Sequence, residues 1–316
     1  MTPIHIRPGD DLRGRLPPGD YLTYADPVCL GPARDADGPM AWLAQRSRFV
    51  AMHAHHPLEA VRLRLGAEYT ALLAAARGDA PLHIWCEHDV WDQIALLRII
   101  SLIWPAGRGR IFLMPADGRR VFPALTDAEL AALVPVPLGD AAAEAACLAW
   151  DAFAGEDPAE LDRIWRRQLP FPHLAPALRR HLQDLPWASD GLALSERRVL
   201  RAVVEGAADA AAVLAGFAAA DPVFHPTDLM VAEIIDRLRH GTRRLIARSG
   251  PLALSPLGQA VLAGQARHAP APRFVGGIAV GPTAPAWWDP GRAGVVTRPN
   301  NGLGAAPGGL SALRGD

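Results

Sequence analysis

The sequence predicts an α/β protein: a mostly parallel sheet covered by helices, then a helical connector and a winged-helix-like unit. Three observations carry that class. Over residues 1–123, short apolar runs alternate with longer amphipathic segments, the pattern of strands buried beneath helices. Residues 124–190 are helical in periodicity almost without a break. Residues 191–267 give three helices, two short β segments and a last helix, the order of a winged helix. A β-rich tail over 268–299 follows. The Gly-rich end, 300–316, has too little to bury and is expected to be disordered.

Taken in order, Ile4 and Ile6 alternate with His5 and Arg7 in a first strand that stops at Pro8-Gly9. Asp10 or Asp11 then caps a small helix over Leu12–Leu16, since a carboxylate accepts the free N–H groups of a first turn. Tyr21–Tyr24 is a second strand, and the Pro- and Gly-punctuated stretch to Arg34 is loop. A helix covers Trp42–Val50. A second, Leu58–Ala76, carries Leu58, Val61, Leu65, Tyr69 and Leu72 near the 3.6 period. Leu82–Cys86 and Arg110–Met114 are the third and fourth strands, on either side of a helix that is almost wholly apolar.

Beyond a linker at Pro115–Pro123, helices are expected over Thr126–Leu133, Ala141–Ala154, Pro158–Gln168 and Pro172–Leu185, the first opened by a Thr126/Glu129 capping box. The small unit has helices from Ser195, over Ala208–Ala219 and from Asp228 to Arg239. Strands at Arg244–Ala247 and Pro251–Ser255 and a helix at Leu257–Leu262 follow. In the tail, Arg273–Val280 is a strand and Trp287-Trp288-Asp289 a second packing point.

Composition bounds the partners. Net charge is −1, so no global field draws the chain to nucleic acid or an anionic membrane. All 32 basic residues are Arg, as GC-rich coding produces, so arginine richness is no sign of phosphate binding. Cys29, Cys86 and Cys147 form no C-x-x-C pair and fit a reducing compartment. The N-terminus lacks a signal-peptide core and no apolar run is long enough to span a membrane, so a cytoplasmic protein is expected.

The stretch that stands out is Pro81–Trp104, where a strand ends in Glu87-His88-Asp89, adds Asp92 and Gln93, and runs into a buried helix. In an open parallel sheet, ligands sit outside the carboxyl ends of the strands. Gly9 and Asp10 follow the first strand and Asp26 follows the second, so an acidic and histidine-bearing cleft is expected there. Glu87, His88 and Asp89 are its candidate catalytic groups, and Gly9, Asp10, Asp26, Asp92, Gln93 and Arg48 its candidate ligand-binding groups. Several carboxylates beside one imidazole suit general acid–base work or a divalent metal. Helix capping alone also accounts for Asp89, Asp92 and Asp10. His53, His55 and His56 are a further metal candidate, or a plain polar loop. No G-x-G-x-x-G, P-loop, G-x-S-x-G or H-E-x-x-H motif occurs.

Three pieces together resemble the bacterial family designated domain of unknown function 1835. They are I-H-I-x-P-G-D-D-L at Ile4–Leu12, the Asp26-Pro27 and Gly31-Pro32 pair, and W-C-E-H-D-V-W-D-Q at Trp85–Gln93. The last is similar to the family signature W-F-E-H-D-x-x-D-Q, with Cys86 in place of an aromatic and Trp91 in place of Tyr or Phe. Leu174–Pro186, Asp190-Gly191-Leu192, Leu254–Gly258 and Gly276-Gly277 extend the resemblance over most of residues 3–290, and it implies a domain layout and no reaction.

The functional expectation is an enzyme or ligand-binding protein for a small ligand, phosphorylated or nucleotide-like. The alternative is a regulator that meets DNA or a protein through the winged-helix-like unit. In the DNA alternative, Asp228, Glu233 and Asp236 on the third helix would face phosphates, so packing or homodimerisation suits the unit better.

Overall fold

The structure, a computed structural model, describes residues 1–34, 38–241 and 243–297. The expected disordered end, 300–316, lies outside the described residues. The chain divides into two compact units, Met1–Leu178 and Arg179–Asp316.

The first unit is built on a five-stranded sheet. Its strands are β1 (Ile4–Arg7), β2 (Asp20–Thr23), β3 (Leu82–Ile84), β4 (Ile111–Leu113) and β5 (Val136–Pro137), in the order β2-β1-β3-β4-β5. The first four run parallel and β5 is antiparallel. The mostly parallel α/β class is therefore present. β5, a two-residue edge piece containing Pro137, has no counterpart in the sequence reading.

The helices of this unit are α1 (Pro39–His53), α2 (Leu58–Arg77), α3 (Val90–Gly107), α4 (Asp127–Ala132), α5 (Asp140–Ala154) and α6 (Pro158–Trp165). Pro and Gly set many of their ends: Pro39 and Pro158 open α1 and α6, and Gly78 and Gly155 close α2 and α5. The capping box of Thr126 and Glu129 starts α4 as expected. α3 is the core helix, packed between α2 and α5. Ile94, Leu97, Ile99, Ile100 and Ile103 are fully buried, each worth about 1.5–3 kcal/mol of apolar transfer. Its one internal cation, Arg98, lies over the rings of Trp42 at 4.1 Å and Trp150 at 4.8 Å.

The connection from β1 to β2 crosses between parallel strands without a helix. The expected helix over Leu12–Leu16 is instead a run of turns closed by Arg13 N–H to Asp10 O and Arg15 N–H to Leu12 O. Gly14 at φ 79 and Pro17-Pro18 leave no room for a helical turn to continue. Leu12 drops from these turns into a core cluster with Trp85, Met114, Phe122, Leu125 and Leu130.

α7 (Leu174–Leu182) carries the chain into the second unit, which contains α8 (Leu194–Val204), α9 (Ala210–Ala220), α10 (Asp228–Arg239) and α11 (Pro256–Leu262). The first three of these pack on one another, and α11 packs on α8. The two strands expected at Arg244–Ala247 and Pro251–Ser255 reduce to one bridge, Ile246 with Leu254. The single strand expected over Arg273–Val280 is a hairpin, β6 (Arg273–Val275) and β7 (Ile278–Val280), because Gly276 turns at φ 62. Trp287 and Trp288 lie buried in β8 (Ala286–Asp289), which pairs with β9 (Gly294–Thr297). Among the described residues, no helix is long and apolar enough to cross a membrane.

Candidate functional site

β2 lies on one side of β1 and β3 on the other, so the chain reverses its direction of travel across the sheet at β1/β3. The carboxyl ends of two strands that part in this way open a crevice between their loops. Arg7 ends β1 here, and Trp85 follows β3 directly, in register with it: Trp85 N–H donates to Ile6 O at 2.9 Å.

Arg7 organises the site. Its guanidinium donates from Nε and Nη2 to the two oxygens of Asp11 (3.1 and 2.9 Å) and from Nη2 to Glu87 Oε1 (3.0 Å). Nη1 donates to Asp92 Oδ2 (2.5 Å) and to the Trp85 carbonyl (3.1 Å). These five bonds use all five guanidinium donors. The side chain is buried, and its neighbouring carboxylates hold the guanidinium charged against the desolvation that opposes it.

The carboxylates are placed as firmly. Asp89 caps α3, its Oδ1 accepting from the Trp91 and Asp92 amides at 2.8 and 3.2 Å. Asp92, in the first turn, accepts from the Glu87 amide at 2.7 Å as well as from Arg7. Glu87 Oε1 also accepts from the Phe122 amide at 2.8 Å, which ties the site to the 3-10 turn Phe122–Ala124. Gln93 donates from Nε2 to the Glu87 carbonyl. Oxygens of Glu87, Asp89 and Asp92 lie within 4.8 Å of one another, the one such group able to hold a metal ion among the described residues. Burial raises all three carboxyl groups above the ordinary carboxylate range, against the opposing pull of Arg7.

His88, between Glu87 and Asp89 in the chain, is half-buried, and its ring meets that of His173 edge to face at 5.9 Å. His173 Nε2 lies 3.1 Å from the Ala116 carbonyl. Behind the site, Trp85 Nε1–H donates to His5 Nδ1 at 3.0 Å, so the His5 proton sits on Nε2, 3.1 Å from the Pro17 carbonyl. That arrangement fixes the Trp85 ring against Phe122.

The expected residues divide. Glu87, Asp89 and Asp92 come together, with Gln93 bonded to the Glu87 carbonyl, while the His88 ring packs on His173. Gly9 is in the adjoining loop, its carbonyl accepting from Tyr21 Oη at 2.7 Å. Asp10 faces outward, paired with Arg13 at 2.8 Å and Thr23 at 2.5 Å. Asp26 is fully buried elsewhere, held by Arg46 at 2.7 Å and Tyr69 at 3.1 Å. Arg46 also donates to the carbonyls of Pro27, Leu30 and Pro32, so this pair anchors the loop after β2. Arg48 lies on the exposed side of α1, two residues from the buried Arg46. His53, His55 and His56 are not gathered as ligands.

Arg7 is the residue that sequence reasoning missed as a site group. The available signal was an Arg within a strand of a sheet expected to be covered. Comparison of the chain with family models, with curated proteins and with solved structures finds no match.

Proposed function

We propose that the first unit is an enzyme or ligand-binding domain that takes a small molecule at the carboxyl edge of β1 and β3. The observation that carries this reading is the gathering of Glu87, Asp89 and Asp92, two of them paired with Arg7, at a junction that also carries half-buried His88. Carboxyl groups raised by burial exchange protons nearer neutrality than exposed ones, and an adjacent imidazole extends that range. Glu87 and His88 are the acid–base pair in this reading. Charge sets the ligand class. A hydroxyl or amine meets the carboxylates directly. Arg7 has no donor left, so a phosphorylated or nucleotide-like ligand needs a cation between them.

The resemblance to the domain of unknown function 1835 family belongs to this proposal. The Glu, Asp, Asp and Gln of its signature correspond to Glu87, Asp89, Asp92 and Gln93, which converge, and its His to His88 beside them in the chain. A thermal-shift panel of nucleotides, sugar phosphates and amines tests the reading. A binder present at a hundredfold its Kd stabilises wild type by about 2.7 kcal/mol and loses that effect in Glu87→Gln and His88→Ala. No stabilisation by any compound of these classes rejects it.

In the second unit we read α8 to α11 and the Ile246–Leu254 bridge as winged-helix-like, serving protein contact, homodimerisation included, in preference to DNA. Asp228, Glu233 and Asp236 lie on the exposed face of α10, which disfavours phosphates there. Salt-sensitive retention on DNA, lost in Arg243→Ala/Arg244→Ala, would reverse that preference.

A further inference from the structure

We infer that the second unit docks on a second copy of itself, the arginine-bearing edge that follows α10 in one chain meeting the acidic face of α10 in the other. The inference rests on the protein-contact reading of this unit and names the partner.

The sequence segregates charge here. Residues 237–288 hold seven Arg and no Asp or Glu, in a chain whose net charge is −1. Two of the seven, Arg237 and Arg273, approach buried Glu196 at 3.9 and 4.0 Å. The other five are Arg239, Arg243, Arg244, Arg248 and Arg267. They are exposed or half-buried, and none of them is ion-paired among the described residues. On the surface of the first unit, by contrast, Arg13, Arg62, Arg120 and Arg163 each hold an Asp or Glu.

Bonds to the backbone gather the five at one edge. Arg239 donates to the Gly250 carbonyl at 2.9 Å, which sets the end of α10 against the turn after Arg248. Leu245 and Ile246 N–H both donate to Leu238 O, at 2.8 and 3.1 Å, so Arg243 and Arg244 lead back onto the same helix end. Arg243 donates to the Arg267 carbonyl at 3.0 Å, and Arg267 to the Ser189 carbonyl at 2.9 Å. A bond of this kind occupies one of five guanidinium donors and cancels no charge. The acids beside these contacts are engaged elsewhere. Asp190, next to Ser189, holds Arg197. Asp209, next to the Ala208 carbonyl that accepts from Leu252 N–H at 2.8 Å, caps α9.

Like charges gathered without counter-charges favour an anionic partner. α10 decides which kind. Asp228, Ala232, Glu233 and Asp236 are exposed at helical spacing along it, ahead of Arg239. A long polyanion laid on the arginines would meet these carboxylates too. A partner that suits both surfaces brings acid for the arginines and base for α10. A second copy brings both, and across a two-fold axis each contact is made twice.

Sedimentation velocity of the full chain is the test. The wild type is expected to dimerise at about 100 μM in about 50 mM NaCl. Its association should weaken tenfold or more at about 500 mM, where the Debye length falls to about 4 Å. Arg243→Glu/Arg244→Glu and Asp228→Arg/Asp236→Arg are each expected to be monomeric. An equimolar mixture of the two should dimerise again, since each then carries the charge that the other needs. Circular dichroism checks folding, and Asp236→Arg alone takes the place of the second variant if that one unfolds. A wild type that stays monomeric, a dimer that either variant leaves intact, or a mixture of folded variants that stays monomeric overturns the inference. An intact dimer leaves the protein-contact reading standing. A monomeric wild type retained on duplex DNA at low salt, and released by Arg243→Glu/Arg244→Glu, overturns that reading as well.

Discussion

Replacing Arg7 by Met tests whether the site is held together by one saturated guanidinium. The substitution keeps an unbranched apolar stem and removes five hydrogen bonds. The two to Asp11 contribute little, because that carboxylate is 39% exposed and water replaces its partner. The two to Glu87 and Asp92 decide the outcome, since both side chains are nearly inaccessible and keep only backbone donors. Breaking a buried pair from one side costs about 3–5 kcal/mol, which for a unit of this size lowers its Tm by about 6–20 °C. The loss depends on pH in a determined direction. Burial already raises Glu87 and Asp92, and Arg7 is the neighbour that pulls them down. Without it they rise further, so between the ordinary carboxylate range and the raised values the folded chain binds more protons than the unfolded one. Stability of the variant therefore increases as pH falls. Calorimetric unfolding at about pH 7.5 and pH 5 should show the deficit shrinking at the lower pH. Arg7→Met/Glu87→Gln/Asp92→Asn should recover most of it at neutral pH. A deficit below about 1 kcal/mol, or one equal at both pH values, refutes the account.

Three other outcomes follow from the same structure. Asp26→Asn, which strips the charge partner from fully buried Arg46, should cost about 3 kcal/mol in unfolding experiments while leaving small-ligand binding unchanged; lost binding would return Asp26 to the site. Gly191→Ala should destabilise the second unit by more than the ~1–2 kcal/mol of a left-handed non-glycine residue, since φ is +86 and the new Cβ would lie 2.1 Å from the His268 carbonyl; a melting curve like wild type's would show that the turn yields. Burial lowers the His181 imidazole from 6.5 to about 4, so the folded chain binds fewer protons in that window. This contribution, about 3 kcal/mol, is present above pH 6.5 and lost as pH falls towards 4; a His181→Gln chain with the same acid sensitivity as wild type excludes it.

What the sequence displays and what it hides differ for physical reasons. Several helix ends were legible because Pro158, Gly78 and Gly155 act locally, and the Thr126–Glu129 capping box is complete within four residues, whereas α1 begins at Pro39, three residues before the expected Trp42. The convergence of Glu87, Asp89, Asp92 and Gln93 was legible because one strand-to-helix junction supplies all four. Pairing across the chain was not. Nothing local tells Asp26 that Arg46 will reach it, or tells Asp10 that Arg13 and Thr23 will hold it outside. The hairpin β6–β7 was readable in principle: Gly276-Gly277 between Arg-Phe-Val and Ile-Ala-Val is a two-residue turn signal.

The strand Ile4–Arg7 shows why Arg7 escaped notice. Ile-His-Ile-Arg has the alternation of a strand with one wet face. In a sheet covered on both sides that alternation sorts two kinds of buried environment. Ile6 is fully buried, while His5 binds Trp85 and Arg7 binds the acidic loop after β3. Both polar residues are buried because each has hydrogen bonds supplied by the segment after β3, His5 from Trp85 and Arg7 from Trp85, Glu87 and Asp92. That loop could not keep Glu87 and Asp92 under cover without Arg7 beneath it, nor could Arg7 be buried without them. The two ends of the crevice therefore specify each other. With every Arg7 donor committed to a protein acceptor, the proposed ligand of this crevice meets the carboxylates and not the guanidinium.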